Sequence, residues 1–137
     1  MLSVSQEVYE TVIDHARRGG KEEVCGVLGG EYGEEHRYAY TGREAENVAD
    51  TPRSTYRIEP KEQLELMEEI RKRGQDIVGF YHSHPSGPPR PSATDAAQAT
   101  WPGYSYLIVS LSGEYPFVGS WCWTGERFQP EVLERKD

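Results

Sequence analysis

Asp76-Ile-Val-Gly-Phe-Tyr-His-Ser-His84, followed by Pro85 and, after a short loop, by Ser92-Ala-Thr-Asp95, is the stretch on which the reading of this chain turns. Its β-branched and aromatic content marks a buried strand, and alternate residues of a strand leave the same face. His82 and His84 therefore project together from one surface. Pro85 stops the strand, and residues 86–91, Ser-Gly-Pro-Pro-Arg-Pro, carry so many ring and glycine constraints that they form a defined loop. Ser92 reads as the N-cap of a helix continuing toward Thr100, with Asp95 at its third position and Pro102-Gly103 as the stop. A carboxylate at a helix mouth thus faces two imidazoles at a strand end.

Imidazole nitrogen and carboxylate oxygen are ligands that zinc accepts at roughly 2.0 to 2.2 Å, and hydrolytic sites use three protein ligands with the fourth position left to water. His82, His84 and Asp95 meet that count. Hydrolysis also needs a carboxylate that is not a ligand and can move a proton. The segment Lys21-Glu22-Glu23-Val-Cys-Gly-Val-Leu-Gly-Gly30 supplies one at the entrance to an apolar strand. Each piece alone has a plainer meaning: His-x-His on an apolar strand is commonly structural, and Ser-x-x-Asp is commonly a capping box. The combination at fixed offsets is what points to a metal.

Glu23-Val-Cys-Gly-Val-Leu-Gly-Gly30, together with His82-Ser-His-Pro, five further residues and Pro91-Ser92-x-x-Asp95, resembles the JAMM (MPN-plus) metalloprotease family. The likeness spans nearly the whole chain and is greatest to small, single-domain prokaryotic members. It implies an MPN/JAB1 fold of the cytidine-deaminase-like kind: an α/β, mixed architecture in which a curved mixed β-sheet is flanked by helices. By the same resemblance His82, His84 and Asp95 hold one Zn2+, Glu23 rather than Glu22 is the general acid/base, and Ser92 helps hold the oxyanion. The implied partner is a ubiquitin-like or sulfur-carrier protein with a Gly-Gly tail, joined either to a lysine or to an added amino acid such as cysteine. Glycines suit a narrow channel, and the segment 47–55 is the expected sheet edge for such a tail.

Three other readings stand beside this one. A noncatalytic MPN-type scaffold would not need the intact ligand set. A RadC-like, DNA-repair-associated protein shares the His-Ser-His-Pro-Ser-Gly87 loop, but Glu23-Val-Cys-Gly26 and the acidic charge count against it. A zinc nucleobase deaminase requires His-x-Glu and Pro-Cys-x-x-Cys, and neither occurs.

Periodicity gives the order α-β-β-β-α-β-α-β-β-β. Ser3 or Ser5 caps a helix to about Arg18 with Val8, Val12 and Ala16 inward, and residues 24–30 form a strand. Segments 37–41 and 55–58 read as strands, and a second helix from Pro60 to about Lys72 turns Leu64, Met67 and Ile70 inward, with Leu66 widening the stripe. Residues 106–111 form a buried strand, and 116–123 with 127–133 a hairpin turned at Thr124-Gly125.

With 137 residues and 36% hydrophobic content, one domain over 1–137 is expected. A net charge of -8 disfavours nucleic acid. No segment approaches ~20 apolar residues, and the opening residues do not read as an export signal, so a cytoplasmic protein without a membrane anchor is expected. Cys25 and Cys122 are too far apart for a Cys-x-x-Cys site and read as small buried hydrophobes. His15 and His36 read as surface residues, and Asn47 either orients a substrate strand or closes a turn. Oligomeric state is left open.

Overall fold

A computed structural model describes residues 1–136. The chain runs β1 (Leu2–Ser5), α1 (Gln6–Arg18), β2 (Cys25–Glu31), β3 (Arg37–Ala45), α2 (Pro60–Lys72), β4 (Asp76–His84), α3 (Ala93–Gln98), β5 (Ser105–Ser110), β6 (Phe117–Trp123), β7 (Phe128–Glu131) and β8 (Leu133–Lys136). All the strands join one sheet in the order β7-β6-β5-β4-β2-β3-β1-β8. The pairings β1 with β3, β1 with β8 and β4 with β5 are parallel, and the others are antiparallel. The mixed α/β architecture is therefore as expected.

The curvature follows from connectivity. β7 and β8 are separated by Val132 alone, yet they lie at opposite ends of the strand order. One residue can link the two edges only if the sheet bends round until they meet. At that joint the Leu2 N–H donates to the Val132 carbonyl at 2.9 Å.

Each face of the sheet has its own helix. Val8, Val12 and Ala16 of α1 pack on Leu28, Val78, Tyr81, Leu107 and Val109. Met67 and Ile70 of α2 pack on Cys25, Val27, Phe80 and Tyr106 of the opposite face, with Leu66 half-buried beside them. Leu64 is exposed, so the inward stripe of α2 is narrower than its three-residue spacing suggests. Ser5, the last residue of β1, caps α1 by accepting from the Val8 N–H at 3.1 Å, whereas Ser3 Oγ lies within 2.7 Å of His36 Nε2. Pro60 opens α2 at a position whose N–H would have no helical partner anyway.

Several sequence expectations are corrected. β1 and β8 are strands additional to the expected order, and segment 127–133 divides between β7 and β8. Segment 55–58 is not a strand; it contributes only an isolated bridge between Asn47 and Ile58. The helix expected to continue toward Thr100 ends at Gln98, where the Ala99 N–H closes onto the Asp95 carbonyl. His15 is buried, with Nδ1 at 2.7 Å from the Tyr81 hydroxyl, so it is an interior residue. Cys25 is buried as expected, whereas Cys122 is only half-buried. Gly26 lies directly beneath the Tyr81 ring, where any Cβ would collide with it.

Candidate metal centre

The pairing of β2 with β4 builds the site. Cys25 lies opposite His82, and the same register carried two residues further brings Glu23 opposite His84. Ser83, between the two histidines, points to the other face and fixes that register. Its Oγ accepts from the Val24 N–H at 2.9 Å, and its own N–H donates to the Val24 carbonyl at 3.0 Å. Glu23 is thereby drawn inside, while Glu22 stays exposed.

The third element is α3. Ser92 Oγ accepts from the Asp95 N–H at 3.0 Å, and Asp95 Oδ2 accepts from the Ser92 N–H at 2.8 Å, a complete capping box. The capping reading of Ser-x-x-Asp is therefore realised. The same geometry aims Asp95 into the sheet, where Oδ2 lies 3.2 Å from His82 Nε2 and 3.0 Å from His84 Nε2. Among the described residues, Glu23, His82, His84 and Asp95 form a buried group whose ligand atoms all lie within 4.8 Å of one another. Ser92 is exposed at the edge of this group.

Hydrogen-bond accounting shows what the group lacks. His84 Nδ1 is 2.8 Å from the Pro88 carbonyl, which can only accept, so Nδ1 carries the hydrogen. In the neutral ring, Nε2 then presents a lone pair to Asp95 Oδ2 and, at 3.2 Å, to His82 Nε2. Converging electron pairs of this kind are stable only around a proton or a cation. Glu23 Oε1 and His82 Nδ1 are buried without any hydrogen-bond partner. Tetrahedral zinc at ~2.0 to 2.1 Å from its ligands sets them roughly 3.3 Å apart. The 3.0 to 3.2 Å separations here already approach that spacing.

Ionisation follows the same logic. Burial raises the Glu23 carboxyl to about 7, with the charge of His84 opposing and that of Asp95 reinforcing the shift. Burial would also raise Asp95, but hydrogen bonds from His82, His84 and the Ser92 N–H hold it well below the usual carboxylate range. Burial lowers His82. For His84, burial is outweighed by its bonds to Asp95 and Pro88, and the net direction is upward.

Of two neighbours of the site, Tyr56 carries no expectation from sequence and Asn47 carries two, of which turn closure is observed. Tyr56 stacks on His82, with ring centroids 4.4 Å apart and planes at 23°. With Ile58, Phe80, Trp101 and Tyr106 it also lines a cavity of about 320 Å³. The usable signal was a lone aromatic in the otherwise polar segment 46–57. Asn47 closes a turn: its amide donates to the carbonyls of Glu23 and Thr55 and accepts from the N–H groups of Ala49 and Arg57. Trp101 and Tyr106 are packing and core residues, respectively.

A curved mixed sheet with two imidazoles, a ligand carboxylate and a separate buried carboxylate at its centre defines a metal-site hydrolase class. Residues 5–123 match the family described as prokaryotic homologs of the JAB domain, and the chain belongs to that family; it is a JAMM-type hydrolase. Over 132 residues it is 41% identical to a desampylase of Haloferax volcanii, covering 93% of this chain and 91% of that protein. Over 110 residues it is 31% identical to a CysO-cysteine peptidase of Mycobacterium tuberculosis, covering 80% of this chain and 73% of the relative. A solution structure of a Desulfitobacterium hafniense protein superposes with a TM-score of 0.90 at 32% identity, covering 100% of this chain and 94% of that one. Among the described residues no helix is long and apolar enough to cross a membrane.

Proposed function

We propose that the chain is a zinc-dependent isopeptidase that hydrolyses the amide after the C-terminal Gly-Gly of a ubiquitin-like modifier or sulfur-carrier protein. The observation that carries this reading is the convergence of Glu23, His82, His84 and Asp95 within 4.8 Å, with His84 locked in the tautomer that frees Nε2. The donor set fits zinc: two imidazole nitrogens and one carboxylate oxygen would hold it, and Glu23 remains over as the proton carrier. Zinc bound there would supply Lewis acidity, polarising the scissile carbonyl and bringing the pKa of water in the open position to about 7.

The protein's own residues do the rest. Glu23, raised by burial to about 7, is matched to take a proton from the attacking water and return it to the departing nitrogen. Water adds to the carbonyl carbon, the C–N bond breaks, and the transferred proton leaves with the amine. Ser92 Oγ accepts from the Asp95 N–H, so its own hydrogen is free to point at the oxyanion. The extended Gly-Gly tail lies along segment 47–55, whose inner side is tied to Glu23 through Asn47 and through the Glu23 N–H to Pro52 carbonyl bond at 2.7 Å. The setting is cytoplasmic, consistent with two unpaired cysteines.

The test is mass spectrometry of products after zinc-loaded wild type and Glu23→Gln are incubated with two substrates. One is a Gly-Gly-tailed modifier joined to lysine, and the other is a carrier extended by cysteine. Cleavage after Gly-Gly by wild type alone supports the reading and identifies the substrate arm. Equal cleavage by Glu23→Gln, or a cut elsewhere, overturns it.

A further inference from the structure

The two histidines of the centre are held by different means. His84 has the usual support of a metal-ligating imidazole, its second ring nitrogen bonded to a backbone carbonyl. His82 Nδ1 is buried with no such partner. The last torsion of a histidine side chain is broad, so a ring bonded only at Nε2, as His82 is to Asp95 Oδ2 at 3.2 Å, lacks the second hydrogen bond that would stop it tilting Nε2 off the common centre. What restrains His82 instead is a face: Tyr56 lies 4.4 Å above it at 23°, and rotation would drive the imidazole edge into the phenol ring.

Tyr56 is itself fixed from both sides by one side chain. Asn47 Nδ2 donates to the Thr55 carbonyl at 3.0 Å, and Asn47 Oδ1 accepts from the Arg57 N–H at 3.1 Å. The Arg57 carbonyl accepts from the Val48 N–H at 2.9 Å, and Thr55 Oγ1 reaches Gln98 of α3 at 3.2 Å. The backbone on either side of Tyr56 is therefore clamped, and the clamp is anchored to the Glu23 carbonyl through the same Asn47 amide at 2.9 Å.

We propose that Tyr56 is a positioning residue for the metal centre: its ring, set by Asn47, takes the place of the missing hydrogen bond and fixes the orientation of His82. The proposal rests on the zinc reading of the site. Because the ring face acts and not the hydroxyl, an aromatic replacement should serve and an aliphatic one should not.

Zinc affinity, measured by competition with a chromophoric chelator, separates these cases without any substrate. Wild type and Tyr56→Phe should agree within about 2-fold, while Tyr56→Leu should bind roughly 10- to 100-fold more weakly, the range seen when a ligand's outer support is removed. Asn47→Ala should fall between them. A second measurement needs no variant: in apo wild type, the His82 ring resonances should be as sharp as those of His84. Wild-type affinity in Tyr56→Leu, equal losses in the Phe and Leu variants, or exchange broadening confined to His82 would each overturn the proposal while leaving the proposed function intact. Absence of zinc binding by wild type would overturn both.

Discussion

Two clusters of charge are buried in this small protein, and they are finished differently. At the joint of the curved sheet, Arg37 is only 2% exposed, yet its donors are well placed. Nε donates to Ser105 Oγ at 2.7 Å, Nη1 to the carbonyls of Gly33 and Glu34, and Nη2 to Glu131 Oε1 at 2.9 Å. Glu131 Oε2 accepts from Ser105 and Ser120 at 2.7 and 2.9 Å. At the other cluster, Glu23 Oε1 and His82 Nδ1 are buried and unpartnered. Buried polar groups are normally satisfied, since each one left unpaired costs about 1–3 kcal/mol. The first cluster is complete without a ligand and serves the fold. The second leaves buried atoms unpartnered, and the proposed function assigns it a cation and a reacting molecule.

That difference is broken or sharpened first at Glu23. Glu23→Gln should lower turnover by about 10²- to 10⁴-fold while zinc binding survives, if the residue carries a proton and not the metal as proposed. Loss of zinc from that variant would recast Glu23 as a ligand. The apo protein should respond in the opposite sense. A carboxyl whose folded pKa is raised contributes stability at low pH that is lost as pH rises from the unfolded value, about 4.3, through the folded value. The folded value here is about 7. Thermal melts of apo Glu23→Gln should therefore exceed wild type at pH 8 and converge with it near pH 4. Removing a catalytic group should make the fold more stable.

Arg37→Met should do the reverse: no direct effect on zinc affinity, but a loss of about 1–3 kcal/mol in urea unfolding, because Glu131 keeps only the Met1 ammonium as a charged partner and the Gly33 and Glu34 carbonyls lose their donor. The double variant with Glu131→Gln should regain part of that loss. If the single variant costs less than 1 kcal/mol, Arg37 does not close the sheet in the way its contacts indicate. Smaller again is Ser92→Ala, expected to cut turnover about 10²-fold with zinc retained. Its lost cap should cost about 1 kcal/mol of stability. Undiminished activity would leave Ser92 with its structural role only.

The same contrast explains what was legible in the sequence. His82 and His84 are two apart on one strand, and Ser92 and Asp95 are three apart at one helix start. Each pair is set by local geometry, and short-range pattern reading reaches it. The Arg37–Glu131 pair spans 94 residues, and His15 and Tyr81 span 66, so nothing near either residue announces the contact. His15 sits among Asp14, Arg17 and Arg18 and reads as surface for that reason. β1 and β8 are four residues each, and β8, one residue after β7, reaches β1 at the opposite edge only because the sheet curls. Segment 55–58 fails the other way: Thr-Tyr-Arg-Ile has strand-like content, but the Asn47 side chain takes up the Thr55 carbonyl and the Arg57 N–H, and only an isolated bridge at Ile58 remains.

The mildest expected effect tests whether the closure at the sheet joint is electrostatic. Burial alone would raise the Glu131 carboxyl; the Ser105 hydroxyl, the Met1 ammonium at 2.9 Å, the Ser120 hydroxyl and, last, the charge of Arg37 overcome it and hold the group below its ordinary value. A carboxyl depressed in the folded state contributes stability that is fully present above its unfolded pKa, about 4.3, and lost as pH falls through the folded value. Wild type should therefore weaken below about pH 4 in urea titrations. Glu131→Gln should be less stable than wild type at pH 7, with the gap closing toward pH 2.5. The slope at Glu131 is opposite in sign to that at Glu23. A single apo chain should thus show one carboxyl whose replacement flattens the acid limb and another whose replacement flattens the decline between about pH 4 and 7. A gap between Glu131→Gln and wild type that stays constant across this range would assign the joint to packing and take Arg37 out of its energetics.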